Sequence, residues 1–501
     1  MDDREQTPAA GASVKVGKIA LSLAPIVVLG RTAGFFVPIA IAHFFGVSGV
    51  TDAFFYAMAI PMLLVVIVTN AVGTIVTPHL AKVHAEEPAE IPRFLGGVIS
   101  LLTVGVTGIG GLTTLGMYLL LPLISDFDSP TRSIAVSFTA ELIPLMALAS
   151  GAAILKAATE VQGSYVRAAI APLPRAFVII AVLLICSPYL QGHALPLAMG
   201  LGAAAEVSWF LRALRSAGVV LHPNLTLDPR IRRAAMDVLP LLVGQSLVAL
   251  HLLVDRSFAA SLDTGGVSIL DYADKLRLIP QVLAEGTLLP VAFATWAHQK
   301  AREQHQQFAR QLDQSFRWVA AWSAAPLAAL HIFRFPLVDL LFVRGEFTAE
   351  DGLQTAEAFG WFVPGLWFLF LGSLALRANI IEDRLRLIMV LGGISLGLKI
   401  IFDALLVGPM GVQGLTLATT LVWLIIPTTY MAALLPTLTA EASPKKWAPV
   451  LVIAAASLAI ALGVELRSGA VRTTTIWPAL VCLLLWAMGI GLTLPKHDEK
   501  S

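Results

Sequence analysis

Charged residues are scarce in this chain. Asp, Glu, Lys and Arg make up 13% of its 501 residues, about half the fraction found in a typical soluble domain. Apolar residues reach 57%, and apolar stretches of about twenty residues recur from residue 19 to residue 495. This composition excludes a soluble enzyme, a disordered chain and a coiled coil, and it predicts a polytopic helical membrane protein.

Other features that would indicate chemistry are also missing. The two cysteines, Cys186 and Cys482, lie in separate apolar runs, which argues against a disulfide framework or a metal site. The formal net charge of +1 gives no electrostatic reason to expect nucleic acid. The sequence contains no P-loop, G-x-S-x-G or H-E-x-x-H motif. We therefore predict no enzymatic activity, no cofactor, no bound metal and no nucleic-acid partner.

Fourteen apolar segments are long enough to cross a bilayer as helices. Lysine and arginine are distributed unevenly over the connections and segment ends: 23 lie on the side of the N-terminus and four on the opposite side. Because cytoplasmic loops carry the excess of positive charge, both termini are predicted to be cytoplasmic.

A faint internal repeat indicates two halves. Asp52 precedes Ile60-Pro61 by the same spacing with which Asp271 precedes Ile279-Pro280, and six apolar segments separate the two occurrences. An even number of segments gives both halves the same orientation in the membrane. The predicted parts are an N-terminal tail (1–18), a six-helix N-lobe (19–216), a connector (217–235), a six-helix C-lobe (236–436), and two further helices with the C-terminal tail (437–501).

Thirteen charged residues lie inside the apolar segments. A charge at the bilayer centre costs several kcal/mol unless it faces protein or water, so these residues predict a hydrated cavity between helices. The cations are Arg31, Arg175, Arg256, Lys275, Arg277, Arg334 and Lys399, and the acids are Asp52, Glu206, Asp255, Asp271, Asp274 and Asp403.

Four of these residues are the candidates for substrate binding. Arg31 lies midway along the first segment, and a guanidinium there can grip a phosphate or diphosphate with two parallel hydrogen bonds. Lys275 would act as a point charge, and Asp52 and Asp274 complete the group. The alternative is structural ion pairing, of Arg31 with Asp52 or of Lys275 with an acid such as Asp271.

A second group of residues is a candidate for ion coupling or for a buried charge network. Lys399 and Asp403 are spaced i, i+4 and therefore share a helix face, while Asp255, Arg256 and Thr419 lie in other segments. Carboxylates and a hydroxyl within a membrane could hold a sodium ion or relay a proton. Alternatively, Lys399 neutralises Asp403 or Asp255 in a structural triad, which we favour because an ammonium group repels a metal ion.

Glu206 and Arg175 are the remaining buried charges of the first half. They could take part in proton coupling, or they could pair across two helices. We favour the cross-helix pair, since pairing lowers the cost of both charges in the membrane.

Several phrases of the sequence carry a resemblance to a known family. They are GRTAGF at 30–35, TDAFF at 51–55, VDR at 254–256, DYADKL at 271–276, LFVRGEFTAED at 341–351 and GVQGL at 411–415. The patterns R-G-x-F-T-x-x-D and Y-A-D-[RK]-L are the most specific. With its fourteen segments, the chain resembles the MurJ (MviN) family of lipid II flippases, within the multidrug/oligosaccharidyl-lipid/polysaccharide exporter superfamily.

The resemblance implies a V-shaped, two-lobed, all-α flippase in the bacterial inner membrane. Such a protein moves an undecaprenyl-diphosphate-linked glycan, by default the peptidoglycan precursor lipid II, from the inner to the outer leaflet by alternating access. The family's cavity arginine and aspartate match Arg31 and Asp52, and its segment 8 arginine is Lys275 here. The implied partners are the lipid-linked glycan, the bilayer and glycan synthesis enzymes.

The sequence departs from the family at three basic positions. They fall on Val37, Val65 and Val66, so the cavity is predicted to be less cationic than that of a typical family member. A paralogue that flips an exopolysaccharide or O-antigen repeat unit therefore remains an alternative. A cationic drug antiporter using Asp52 and Glu206 is a second alternative, against which Arg31 argues, and a non-transporting scaffold is a third.

Overall fold

The computed structural model describes residues 33–226, 249–287 and 302–438, together with residue 30 and scattered positions within 246–247, 293–300 and 448–460. Every regular element in these residues is helical, and they contain no strand. A helix satisfies its backbone hydrogen bonds within its own segment, which is what a hydrocarbon environment demands. The predicted class, an all-α polytopic membrane protein, is confirmed.

The helices of the first range are joined by short turns and by 3₁₀ and π segments. They are α1 (Ala33–Phe45), α2 (Gly49–Ala71), α3 (Thr77–Glu86), α4 (Ile91–Ile124), α5 (Ser129–Glu141), α6 (Ile143–Val161), α7 (Tyr165–Ile170), α8 (Pro172–Leu190) and α9 (Ala194–Ser216). A π segment at Val72–Val76 joins α2 to α3 without a break in the helical path. Gln191, with φ 49°, separates α8 from α9.

The helices of the second and third ranges follow the same pattern. They are α10 (His251–Ala259), α11 (Gly266–Thr287), α12 (His305–Ile332), α13 (Arg334–Leu341), α14 (Ala349–Ile381), α15 (Leu385–Met410), α16 (Val412–Ala433) and α17 (Leu435–Leu438). The axes of α12 and α13 differ by 68°.

Within the described residues, seven helical stretches are long and apolar enough to cross a membrane, or eight if α12 and α13 count as one span. The stretch Tyr165–Ser216 has 52 residues, about twice what one crossing requires, and it contains both α8 and α9. The predicted total of fourteen spans includes segments outside the described residues and stays a prediction.

The chain divides into two compact units. The first comprises 1–44, 57–121 and 132–242, and the second comprises 45–56, 122–131 and 243–501. The second unit therefore includes the α1–α2 turn with the first turns of α2, and the α4–α5 connection. The predicted lobe limits, 19–216 and 236–436, stay a prediction.

The core of the first unit is formed by side chains of α2, α3, α4, α6 and α9. Its fully buried side chains include Leu80, Leu95, Ile154 and Phe210. They come from the apolar faces of helices whose other faces expose large apolar side chains. This is typical of a protein surrounded by lipid, where burial alone does not distinguish the core from the surface.

In the second unit, glycines on α14 allow close packing against α16. A Cβ atom at Gly365 would lie 2.6 Å from Thr420 Oγ1, and one at Gly372 would lie 2.6 Å from the Pro427 ring. Small residues at such interfaces let helix backbones approach and gain dispersion energy, which drives helix association in lipid. The close pair α14–α16 is the support against which α11 and α15 are positioned.

The two copies of the internal repeat lie in helices of the same kind. Asp52 is in the first turn of α2, which contains Pro61, and Asp271 lies early in α11, which contains Pro280. Their surroundings differ, however. Asp52 accepts hydrogen bonds from backbone N–H groups, whereas Asp271 pairs with the cations Arg256 and Lys275.

Candidate transport site

The carboxylate of Asp52 binds the N-terminus of α11 in the second unit. Oδ2 accepts a hydrogen bond from the Gly265 backbone N–H at 2.5 Å, and Oδ1 accepts one from the Ser268 N–H at 2.8 Å. The Ser268 hydroxyl lies 2.6 Å from Oδ1 and 2.8 Å from Thr51 Oγ1. Asp52 is 1% exposed, so these bonds form away from water.

This arrangement is a helix cap supplied from another segment. The first N–H groups of a helix have no partner within it, and a carboxylate both accepts their hydrogen bonds and opposes the positive end of the helix dipole. Gly265, which precedes α11, has no side chain that could cap it. Both oxygens of Asp52 are engaged in this structure. A direct role of Asp52 in binding substrate stays a prediction for states in which these bonds are broken.

The α1–α2 turn is held at the same end of the second unit. Gly46 has φ 56°, and its carbonyl accepts a hydrogen bond from the Tyr272 hydroxyl at 3.0 Å. A side chain at Gly46 would also overlap the Glu346 carbonyl. Glycine is therefore required here by both the backbone conformation and the contact.

An aromatic group surrounds this turn. The Tyr272 ring contacts the rings of Phe55, Phe342 and Phe347 at centroid distances of 5.2–5.3 Å. All four side chains are buried. Edge-to-face and tilted contacts of this kind add about 0.5–1.5 kcal/mol per pair beyond burial. The group fastens α2 and the 342–347 segment to α11.

The R-G-x-F-T-x-x-D phrase explains how this segment is shaped. Gly345 has φ 61°, which allows the chain to turn before Phe347 enters the aromatic group. Thr348 and Asp351 then form a reciprocal capping box at the start of α14, with the Thr348 N–H 2.8 Å from Asp351 Oδ2. The phrase therefore builds a turn, an aromatic anchor and a helix start.

Lys275 forms an ion pair on α11 instead of standing alone. Its Nζ lies 3.4 Å from Asp271 Oδ2, and Arg256 from α10 contacts the other oxygen of Asp271. Asp271 and Arg256 are buried, whereas the Lys275 side chain keeps 24% of its surface exposed. Asp271 would therefore retain a buried cationic partner if Lys275 moved to a substrate anion.

Asp274 belongs to a different pair. Arg277 Nε donates to Asp274 Oδ1 at 2.6 Å, and Arg277 Nη1 donates to Gln281 Oε1 at 2.9 Å. The guanidinium also lies 5.2 Å from the Trp423 ring centre and 5.6 Å from that of Phe362. Carboxylate and aromatic faces together stabilise a cation in a poorly hydrated site.

Lys399 lies between two acids in the second unit. Its Nζ contacts Asp255 Oδ1 and lies 2.5 Å from Asp403 Oδ1. It also lies 3.3 Å from the Leu415 carbonyl, to which the Thr419 hydroxyl donates at 3.1 Å. Arg256, the neighbour of Asp255 in sequence, faces Asp271 instead and is not part of this cluster.

Arg175 and Glu206 pair within the first unit. Arg175 Nη1 on α8 donates to Glu206 Oε2 on α9 at 3.1 Å, and the side chains are 30% and 13% exposed. The two residues therefore form a cross-helix pair in this structure. A role of the pair in proton coupling stays a prediction. Arg31 lies outside the described residues, so its predicted contact with a diphosphate also stays a prediction.

Sequence reasoning missed the residues that engage Asp52. Backbone N–H groups of Gly265 and Ser268 leave no sequence signal, because every residue except proline carries one. Tyr272 is part of the DYADKL phrase, but nothing in the sequence predicts its contact with Gly46, because the two residues are 226 positions apart. The glycine before α11 is the one hint that this helix needs a cap from elsewhere.

We expect the Asp52→Asn variant to unfold more easily. The amide places an N–H₂ group where a carboxylate oxygen accepted a backbone hydrogen bond, and a buried donor without an acceptor costs about 1–3 kcal/mol. Thermal unfolding of the purified protein in one detergent tests this. The control is Asp263→Asn, whose side chain is exposed in the connection just before α11. Equal midpoints for the two variants would contradict the cap.

Comparison with known proteins identifies the family. The model of the family described as "Lipid II flippase MurJ" matches residues 41–481. A probable lipid II flippase MurJ of Vibrio cholerae serotype O1 is 24% identical over 429 residues, which is 82% of this chain and 81% of that protein. The lipid II flippase MurJ of Burkholderia cenocepacia is 27% identical over 363 residues, 69% of each chain.

Solved structures share the fold. A structure described as lipid II flippase MurJ in an inward closed conformation has a TM-score of 0.77 at 17% identity and covers 94% of this chain and 98% of its own. An inward-facing multidrug resistance MATE transporter of the MOP superfamily has a TM-score of 0.61 at 12% identity, over 82% of this chain and 100% of its own. The family match extends over most of the sequence, and the chain belongs to the lipid II flippase MurJ family.

Proposed function

We propose that this protein flips lipid II, the undecaprenyl-diphosphate-linked peptidoglycan precursor, from the inner to the outer leaflet of the bacterial inner membrane. The observation that carries the proposal is the family match over residues 41–481. The relatives from Vibrio cholerae and Burkholderia cenocepacia are named as lipid II flippases. Transport, not catalysis, is the activity, and enzymes that make or use lipid-linked glycans are the expected partner proteins.

The distribution of lysine and arginine orients the protein, with both termini in the cytoplasm. In that orientation the α1–α2 turn, the α10–α11 connection and the segment 342–348 all lie at the outer surface. The Asp52 cap and the Tyr272 aromatic group then close the outer end of the second unit. For substrate to leave outward, the residues 45–56 must separate from the N-terminus of α11.

Two cations are proposed to hold the diphosphate. Arg31 would grip it with parallel hydrogen bonds, as a guanidinium can. Lys275 would add a point charge, and it is suited to do so because Arg256 stays with Asp271 when Lys275 leaves. Asp274 is paired with Arg277, so these two residues together would add no net charge near the diphosphate. The polyprenyl chain would remain in lipid while the glycan occupies the hydrated cavity.

The membrane potential is proposed to drive export. The potential is negative inside, so the free energy of a diphosphate anion falls when it moves outward. One elementary charge moved across 100 mV is worth about 2.3 kcal/mol. This sign agrees with a cavity whose candidate ligands are cations.

A second candidate substrate is supported by one specific observation. By the resemblance, Val37, Val65 and Val66 replace basic residues of the family, and Val66 on α2 is 43% exposed. A cavity with fewer cations suits a glycan with fewer negative groups, such as an exopolysaccharide or O-antigen repeat unit. A cationic drug has less support, since Asp52 caps α11 and Glu206 pairs with Arg175.

Complementation tests the substrate. In a strain depleted of its own lipid II flippase, we expect the wild-type protein to restore growth and Arg31→Ala to fail at equal membrane levels. Lys275→Ala should rescue weakly, because one of two diphosphate ligands remains. Lys82→Ala is the matched control: Lys82 is exposed and pairs with Glu86 at 3.9 Å near the end of α3.

The outcomes of complementation separate the candidates. Rescue by wild type and Lys82→Ala, with failure of Arg31→Ala, supports lipid II flipping through the proposed cavity. Failure of the wild type despite normal membrane insertion would contradict the lipid II proposal and favour the exopolysaccharide or O-antigen alternative. Equal rescue by all variants would contradict the proposed diphosphate ligands.

Thiol labelling tests whether Asp52 controls the outer end. Ala53 is fully buried next to Asp52, so Ala53→Cys, with Cys186 and Cys482 replaced by serine, should react slowly with an impermeant maleimide added outside. Adding Asp52→Asn should speed labelling, because the closed state loses its cap. Thr264→Cys, at an exposed position of the same end, should label rapidly in both backgrounds. An unchanged rate at Ala53→Cys would refute this role.

A further inference from the structure

A pocket lies at one end of the second unit, next to the start of α11. Its volume is about 260 Å³, which is below the roughly 300–1,000 Å³ of pockets that hold drug-sized ligands. The α10–α11 connection, α11, α14 and the α15–α16 turn supply its walls. In the proposed orientation this end faces the outside of the membrane. The pocket therefore has room for one group of side-chain size, and a whole glycan would not fit.

Apolar side chains form one part of the wall. They are Leu262 from the α10–α11 connection, Ile269 on α11, and Met410 and Val412 on the two sides of the α15–α16 turn. Gly411 lies between the last two and has φ 58°, and a Cβ atom placed on it would meet no heavy atom within 4 Å. The pocket is open beside this turn, so an aliphatic chain could lie along these side chains and lose its contact with water.

The polar side chains of the wall are Asp263, Thr264, Gln354 and Gln413. The two glutamine amides are oriented by neighbouring acids. Gln354 donates to Glu350 Oε1 at 3.4 Å, and Gln413 donates to Glu357 Oε2 at 2.5 Å. Because a carboxylate only accepts hydrogen bonds, each amide nitrogen must face its acid, and each amide oxygen remains as an acceptor.

The pocket presents acceptors and negative charge. Among the described residues, the Asp263 carboxylate has no hydrogen-bond or ion-pair partner, and those that line the pocket include no lysine, arginine or histidine. Glu350 and Glu357 lie on the same face of α14 as Gln354, because the three are spaced i, i+4 and i+7. The wall therefore disfavours an anion, and it favours a ligand that carries N–H donors and a positive charge.

A primary ammonium group on an aliphatic chain matches both parts of the wall. It has three N–H donors for the Asp263 carboxylate and the two amide oxygens. Its methylene groups would cover the apolar side chains, as the stem of a lysine does on a protein surface. A metal ion matches less well, because the described residues contain no group of three acids, histidines or cysteines that could hold one. The ligand class is therefore an alkylammonium group.

We propose that this pocket binds the side-chain amine of the diamino acid in the peptide of lipid II as the headgroup emerges on the outer side. That amine stands at the end of an aliphatic chain and is the cationic group of an otherwise anionic headgroup. The amine pocket rests on the geometry of its wall, whereas its role in transport rests on the proposed lipid II flipping. A repeat unit without an amine has no ligand for this pocket, so the site separates the two candidate substrates by chemistry.

Saturation-transfer NMR of the purified protein tests the pocket without lipid II. The probe is Nα-acetyl-lysine amide, and the matched probe without an amine is Nα-acetyl-norleucine amide. We expect the lysine probe to bind about two- to fivefold more tightly, which is the range for one solvent-exposed ion pair. Asp263→Asn should remove this difference, because it removes the carboxylate and keeps the size of the side chain.

Two further variants separate the pocket from surface charge in general. Asp339→Asn removes an exposed acid beside the first turn of α14, outside the pocket wall, and should leave the preference unchanged. Met410→Trp keeps every charge but fills the pocket, and should abolish the preference. Asp263 is exposed, so Asp263→Asn decides the test if Met410→Trp does not fold. Equal binding of the two probes to the wild type, or a preference that survives in Asp263→Asn, would overturn the amine pocket.

Reconstituted transport tests the role of the pocket in flipping. In proteoliposomes, the wild type should move lipid II with a free amine outward about two- to fivefold faster than lipid II whose amine is acetylated, because binding at the outer end stabilises the emerging headgroup. Asp263→Asn should move both forms at equal rates. Asp339→Asn should keep the preference of the wild type.

The two experiments separate the pocket from the proposed function. Binding of the lysine probe together with equal flipping of both lipid II forms by the wild type would overturn the role in transport. A flipping preference that survives in Asp263→Asn would do the same. If neither form of lipid II moves, the proposed function fails, and the affinities of the two probes alone then support or overturn the amine pocket.

Discussion

A charge removed from water costs several kcal/mol unless it is paired or hydrogen-bonded, and the buried charges of the second unit are arranged to meet this cost. Asp52 is satisfied by the N-terminus of α11, Arg277 by Asp274 and two aromatic rings, and Lys399 by two acids. Such networks contribute little net stability against apolar packing, but removing one partner is expensive. Among the buried charges, Asp271 has two cationic partners, Arg256 and Lys275, so it would keep one if the other moved.

Three of the phrases that carry the family resemblance meet at one end of the second unit. T-D-A-F-F supplies Asp52 and Phe55, the Y-A-D-K-L phrase begins with Tyr272, and R-G-x-F-T-x-x-D supplies Phe347 and the start of α14. Their common task in this state is to hold the α1–α2 turn against α11. If Lys275 binds the diphosphate as proposed, it would do so one turn of α11 away from Tyr272, which anchors the α1–α2 turn.

The membrane class and the helical fold could be predicted from composition and apolar segment length, because the bilayer imposes both. The pairs within one helix, Lys399 with Asp403 and Lys275 with Asp271, could also be predicted, since i, i+4 spacing fixes them. The Asp52 cap could not, because its donors are backbone groups 213 and 216 residues away. The pairing of Arg256 with Asp271 could not be predicted either, because it depends on how α10 and α11 pack. Arg31 remains assigned by sequence alone.

The measurement that tests the account most directly is lipid II translocation by the purified protein in sealed proteoliposomes, with an inside-negative potential to favour outward movement. Labelled lipid II placed in the inner leaflet should become accessible to an impermeant reagent outside, faster with protein than in protein-free vesicles and more slowly with Arg31→Ala. A rate equal to that of protein-free vesicles, for protein shown to be folded and inserted, would contradict the central claim.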